Sequence, residues 1–416
     1  MTFRRRPAVC TMTALVIATV LGTALGMPVG RASETGLSRA DAVARAGALK
    51  ALGEKMFFDP SLSASGHIAC ATCHDPEHAF GPANARAVQL GGRDVLQPGL
   101  RAVPSLKYLQ VVPPFTEHYH ESEDEGDASV DNGPTGGLTW DGRVDRGRDQ
   151  ARLPLFSPFE MANDSGAALA ARVRQASYAD ELRKMVGERR FAGDEGVVAA
   201  LTEALEAFEQ DQRFYPYSSK YDAFLARKAK LSPQEARGLA LFNDPAKGNC
   251  SSCHRSELGA NATPPQFTDY GLIAIGVPRN RDIPANADPE FFDLGACGPL
   301  RTDLAGRKEY CGLFKTPSLR NVALRQTFFH NGFVRSLREA IAFYVERDTK
   351  PENWYPRDLK GNVRKFDDLP AEYRSNINNE PPFGAPADNR LSLSPSEIDD
   401  IVAFLQTLTD GYTVMP

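Results

Sequence analysis

"CATCH", Cys70 to His74, and "CSSCH", Cys250 to His254, are two copies of one five-residue pattern, 180 positions apart. C-x-x-C-H is the c-type haem attachment signature. The two thiols of such a loop add to the vinyl groups of one porphyrin, and the adjacent histidine is placed to bind the iron from one face. A zinc site built from both C-x-x-C pairs is the competing reading, but it leaves the following histidine unexplained twice. The motifs therefore predict two covalently bound haem c groups, held by Cys70, Cys73 and His74 and by Cys250, Cys253 and His254.

The surroundings of the two motifs are alike. "LGEKMFFDPSLSASGHIAC" (52–70) and "ARGLALFNDPAKGNC" (236–250) each read as a short helix, a Phe-containing turn and an acid-proline pair, Asp59-Pro60 or Asp244-Pro245. The expected fold is mainly α, with two cytochrome c-like haem domains related by internal duplication. A chain of 416 residues, 42% hydrophobic, is long enough for two such cores. Ser232-Pro233-Gln234-Glu235 and Ser394-Pro395-Ser396-Glu397 mark two later helix starts, each with a capping serine, proline at the first helical position and an acid at N3. The mixed aromatic and charged stretch between about 205 and 231 places the boundary, giving domains 33–215 and 216–416.

The N-terminus carries Arg4, Arg5 and Arg6, an uncharged stretch to Gly30, then Arg31-Ala32-Ser33, the pattern of a secretory signal peptide over 1–32. An uncleaved anchor would have to run its helix through Pro28 and several glycines. No later stretch is long and apolar enough to span a bilayer, so a periplasmic protein free of the membrane after cleavage is expected. Losing residues 1–32 moves the formal charge from −5 to −9, which argues against nucleic acid as a partner. "EHYHESEDEGD" (117–127) concentrates acid, and reads as a solvated loop or, alternatively, a docking surface. Cys10 leaves with the signal, and Cys297 and Cys311 are expected to pair in an oxidising compartment.

Each iron needs a second face accounted for. Methionine or a second histidine there makes an electron carrier, and an open face makes a site for peroxide. After the signal, methionines occur only at 56, 161, 185 and 415, and the histidines beyond residue 216 are His254 and His330. The second haem is left with His330, a lysine, Tyr344 or nothing. Tyr344 lies in "REAIAFYVERD" (338–348), where Leu337, Ala340, Ile341, Tyr344 and Val345 form one apolar helical stripe behind the capping pair Ser336 and Glu339. It is expected to be buried, either as a core tyrosine or as an anionic oxygen ligand that lowers the iron's reduction potential relative to methionine. For the first haem, "TWDGRVDRGRDQARLPLFSPFEMAND" (139–164) brings Trp140, Gln150, Pro154 and Glu160 close enough in sequence to line one pocket. A carboxylate there can carry the peroxide proton, and an amide can orient the peroxide. The plainer alternative has Glu160 capping a helix and Gln150 in solvent.

With "CATCH", "TWDGR", "SPFEM", "CSSCH", "FKTPSLRNVAL", "FFHNG" and "IVAFLQTL" in order, the chain resembles the bacterial dihaem cytochrome c peroxidase superfamily and, within it, the MauG branch of methylamine-utilisation enzymes. In peroxidases of the superfamily the position aligned with Tyr344 is a methionine bound to the second haem; in MauG-type proteins it is a tyrosine. The histidine that closes the first iron in typical peroxidases has no clear counterpart, since between the first haem motif and "WDGR" only His78, His118 and His120 occur. The resemblance thus implies an open first haem, a His254/Tyr344 second haem, and Trp140, Gln150, Pro154 and Glu160 in distal-pocket and inter-haem positions. It also implies calcium between the haems, held by backbone carbonyls at Arg325 and Thr327; the family's asparagine ligand is here Ala102. No tryptophan stands beside the second motif to relay electrons, the two present being Trp140 and Trp354. The implied function is oxidation of a protein by hydrogen peroxide through a high-valent dihaem state, the protein being the precursor of methylamine dehydrogenase and the product its tryptophan tryptophylquinone. The rivals are an ordinary dihaem peroxidase fed by a small cytochrome or cupredoxin, and a dihaem electron carrier without chemistry of its own.

Overall fold

Eleven α-helices are found among the described residues: α1 Arg39–Phe57, α2 Cys70–Cys73, α3 Gly147–Phe156, α4 Gly166–Gln175, α5 Ala179–Val186, α6 Glu188–Ala192, α7 Asp194–Glu209, α8 Lys220–Leu225, α9 Pro233–Asn243, α10 Leu337–Glu346 and α11 Pro395–Gln406. This computed structural model describes residues 38–120, 129–384 and 392–414. The signal segment, the acids from Glu121 to Asp127 and Met415 lie outside them. Residues 43–416 group as one compact unit. Among the described residues the strands form two antiparallel two-stranded pairs, Leu90–Gly91 with Gln97–Pro98 and Leu272–Ile273 with Phe314–Lys315. The fold is mainly α, and no helix among the described residues is long and apolar enough to cross a membrane.

The helix starts follow the local chemistry. Ser232 with Glu235, and Ser394 with Glu397, form reciprocal capping boxes with proline at the first helical position, each cap stabilising its helix by about 1 kcal/mol. Ser336 accepts from the Glu339 N–H at the start of α10.

Two helix crossings are built the same way. A Cβ added to Gly53 of α1 would lie 1.8 Å from the Ala204 carbonyl oxygen of α7, and one added to Gly238 of α9 would lie 2.0 Å from that of Asp400 in α11. Only glycine admits backbones this close. Beside these crossings Phe57 packs on Phe208 and Phe242 on Phe404, both at 5.2 Å between ring centroids. Around the first lies a hydrophobic core running from Leu52 to Phe214; around the second, one from Tyr221 to Leu408. A smaller cluster, Leu272 to Ile377, contains the Cys297–Cys311 loop, which the expected disulfide closes.

Helix α10 departs from its expected single stripe. Ala340, Ile341 and Val345 are buried as expected, but so are Ala342 and Phe343 on other faces. Tyr344 is only half-buried, because its ring points out of the packed layer into a cavity.

Candidate active site

A cavity of about 850 Å³ is lined by both C-x-x-C-H motifs, by Tyr344 and by Glu160. Each motif histidine is held from behind. His74 Nδ1 meets the Phe80 carbonyl at 3.0 Å, and His254 Nδ1 meets the Phe267 carbonyl at 2.8 Å. These bonds put the proton on Nδ1, which donates to the carbonyl, and leave Nε2 unprotonated with its lone pair free, the arrangement that suits an imidazole to bind iron. Burial lowers both histidines to about 4, against the opposing pull of carbonyls at Phe80 and Pro104 or at Phe267 and Pro317, so both rings are neutral near pH 7. The four motif cysteines are unpaired with one another and line the cavity beside the histidines. Two neutral imidazoles, each beside a pair of cysteines on one cavity, fit two haem groups: the cysteines would bond the porphyrin vinyl groups and the histidines would hold the irons.

The supports of the two histidines match in detail. Phe80 and Phe267 both hold left-handed backbone, at φ 54° and 55°, which aims each carbonyl at its imidazole. The same carbonyls accept from Leu106 N at 3.2 Å and Leu319 N at 3.3 Å. Ser105 and Ser318 hydroxyls then bond the carbonyls one residue earlier, at Ala79 and Gln266. A repeated Pro-Ser-Leu-basic run, 104–107 and 317–320, is the sequence signal of this support; the reading of the motifs alone missed it.

Tyr344 faces the cavity with its ring stacked on Phe383 at 5.1 Å. No group among the described residues bonds its hydroxyl. Burial raises its pKa, and the Arg347 guanidinium opposes this. Phe383 is itself fixed by the Arg347 guanidinium, 3.8 Å over its ring, and Arg347 is fully buried against Asp348 at 2.6 Å. His330, the other histidine of this half, also lines the cavity, with its ring stacked on Phe314 at 3.5 Å and 8°.

The residues expected beside the first motif also converge. Glu160, Gln150, Pro154 and Trp140 all line the same cavity. Gln150 and Pro154 lie on α3, where Pro154 lacks the N–H that would bond the Gln150 carbonyl. Glu160 follows α3 in a turn pressed against Gly91, where a Cβ would sit 2.1 Å from the Phe159 carbonyl oxygen. The cavity walls raise the Glu160 pKa, partly offset by the Ser157 hydroxyl and the Arg143 guanidinium. Trp140 donates its indole N–H to the Ala102 carbonyl at 2.7 Å. Its neighbour Asp141 is buried between Arg101 at 2.6 Å and Arg143 at 2.9 Å, and Arg101 also grips Asp293 at 2.6 Å. His118 pairs with Asp131 at 2.6 Å and lines no part of the cavity; His78 lines it with its Nδ1 3.3 Å from Asp75.

The family model described as di-haem cytochrome c peroxidase matches residues 48–230. Methylamine utilization protein MauG of Paracoccus denitrificans is 33% identical over 382 residues, covering 87% of this chain and 89% of the relative. The chain belongs to the MauG-type dihaem cytochrome c peroxidase family. The likeness extends to cytochrome c551 peroxidase of Pseudomonas aeruginosa, 27% identical over 70% of each chain. Among solved structures, the diheme peroxidase BthA of Burkholderia thailandensis superposes with a TM-score of 0.77 at 40% identity, covering 87% of this chain and 86% of that one. Membership makes the chain a peroxide-dependent dihaem oxidoreductase.

Proposed function

We propose that this dihaem enzyme oxidises a protein partner with hydrogen peroxide, and that its second haem is held by His254 and Tyr344. The observation that carries the reading is Tyr344, which lines the same cavity as Cys250, Cys253 and His254 and whose hydroxyl has no partner among the described residues. Covalent haem c attachment through Cys70 and Cys73, and through Cys250 and Cys253, follows from the same motifs. When bound, haem supplies an iron open to peroxide at the first motif and, at the second, a low-potential iron that shares the oxidising equivalents.

The chain's own residues do the rest. Glu160, as the anion, takes the proton from the near oxygen of peroxide and delivers it to the departing one. Gln150 orients the peroxide through its amide, and Pro154 shapes the wall opposite. Trp140, tied to the Ala102 carbonyl and beside the Asp141–Arg101 pair, lines the cavity shared by both motifs, and is proposed to carry electrons between the haems. Each peroxide becomes two waters, with two protons taken up and two electrons drawn from the partner. The domains 33–215 and 216–416 are proposed to be duplicates, supported by the paired glycine crossings and the paired histidine supports. The signal read over 1–32 supports a proposed periplasmic location for the mature enzyme.

By the MauG relatives, the partner is the precursor of methylamine dehydrogenase, whose tryptophans would become tryptophan tryptophylquinone. The 40% identity to a diheme peroxidase favours a second reading, in which a small cytochrome or cupredoxin supplies the electrons. Peroxide added to the enzyme with precursor, and separately with reduced cytochrome c and cupredoxin, decides between them. Quinone absorbance on the precursor supports the first reading; turnover of the small donors with an unmodified precursor overturns it.

A further inference from the structure

Segment 83–106, after the first motif, meets segment 325–335, after the second, through a row of backbone carbonyls. Gln326 donates to the Ala83 carbonyl at 3.3 Å, Arg335 donates to that of Ala85, and Ala102 N–H donates to that of His330 at 2.7 Å. In the middle stands Arg325. Its two terminal nitrogens both reach the Val103 carbonyl at 3.3 Å, and its Nε reaches the Thr327 carbonyl at 3.2 Å. No carboxylate pairs with it among the described residues, an unusual position for a guanidinium at a cavity wall. Burial lowers it to about 10, which still leaves it protonated at pH 7.

This is where the resemblance calls for calcium, and the residues do not fit that ion. Calcium collects six to eight oxygens, carboxylates and amides prominent among them. Residue 102 is a buried alanine with no oxygen to offer beyond its backbone, and the Ala102 carbonyl is taken by the Trp140 indole. The Thr327 carbonyl already faces a guanidinium, and two cations cannot share it without repulsion. No group of three or more metal-binding side chains occurs among the described residues.

We propose that the Arg325 guanidinium is the fixed cation at this junction, joining the two halves in place of a metal ion, and that the enzyme is complete without calcium. The proposal rests on the dihaem reading. To test it, the holoenzyme is purified in calcium-containing buffer, desalted, and assayed for haem by pyridine haemochrome and for calcium by mass spectrometry. Its Soret spectrum and melting temperature are then recorded with and without EGTA. Two haems per chain, calcium well below one per chain and no change with EGTA are expected. Two haems with one calcium, whose removal shifts the spectrum or the melting temperature, would overturn the proposal and leave the dihaem reading intact. Fewer than two haems would strike the dihaem reading instead. An Ala102→Asn/Arg325→Thr double variant, which supplies an oxygen and withdraws the cation, is expected to gain a calcium-dependent rise in melting temperature; a variant no more responsive to calcium than the parent counts against Arg325 as the excluding group.

Discussion

Replacing Glu160 by glutamine removes a proton carrier while keeping its shape and its place against Gly91 and the Phe159 turn. Amide and carboxylate differ little in volume, so the loss should appear in proton transfer and not in folding. General acid–base catalysis by one positioned side chain contributes about 10²- to 10⁴-fold, so the second-order rate with peroxide should fall by that factor, about 3–5 kcal/mol in barrier. The pH profile gives a second handle. The active form is the anion, so the rate rises with pH as Glu160 deprotonates, and burial places this acid limb above the ordinary carboxylate range. Arg143 pulls the pKa down; Arg143→Leu therefore moves the limb to still higher pH, while Glu160→Gln abolishes it. Stopped-flow mixing with peroxide over a pH series measures both. A glutamine variant within about threefold of the parent rate, with the acid limb unchanged, would refute the assignment of the proton carrier.

The close crossing of α9 and α11 predicts that Gly238→Ala, whose Cβ would lie 2.0 Å from the Asp400 carbonyl oxygen, costs about 3 kcal/mol or more by overpacking. Gly47→Ala in α1, with nothing within 4 Å of its Cβ, should instead stabilise by about 0.5–1 kcal/mol through helix propensity; urea denaturation of the two variants checks the contrast. Cys297→Ser with Cys311→Ser opens a loop of 14 residues and should cost about 3 kcal/mol of stability, with haem content by pyridine haemochrome unchanged.

What the sequence carried was what short spacing can encode. The two C-x-x-C-H motifs, the serine caps of α9 and α11 and the Cys297–Cys311 pair all lie within a few turns of chain, and each was found where expected. Tyr344 was legible as a residue on an apolar stripe, but its half-burial was not, because periodicity cannot tell a packed neighbour from a cavity. The carbonyls of Phe80 and Phe267 that hold the histidines depend on positive φ at non-glycine residues, which Phe itself does not announce; the one trace of this support is the Pro-Ser-Leu run repeated at 104–106 and 317–319, far from the motifs in sequence. The Arg101–Asp293 pair joins residues 192 apart, and only the fold brings such groups together. Arg325 was read for its backbone carbonyl; that its guanidinium reaches the Val103 and Thr327 carbonyls was not legible, since Val103 lies 222 residues away.

The claim on which the account turns is that Tyr344 supplies the sixth ligand of the second haem. Spectroelectrochemical titration of the parent and of Tyr344→Met, with absorption and paramagnetic resonance spectra recorded at each potential, tests it directly. Two distinct haems are predicted in the parent, one open and one His/Tyr-ligated at low potential. The methionine variant should lose the phenolate signature and raise the second potential by about 0.1 V or more, since axial ligands span about 0.8 V. Identical spectra and potentials in the two proteins would contradict it.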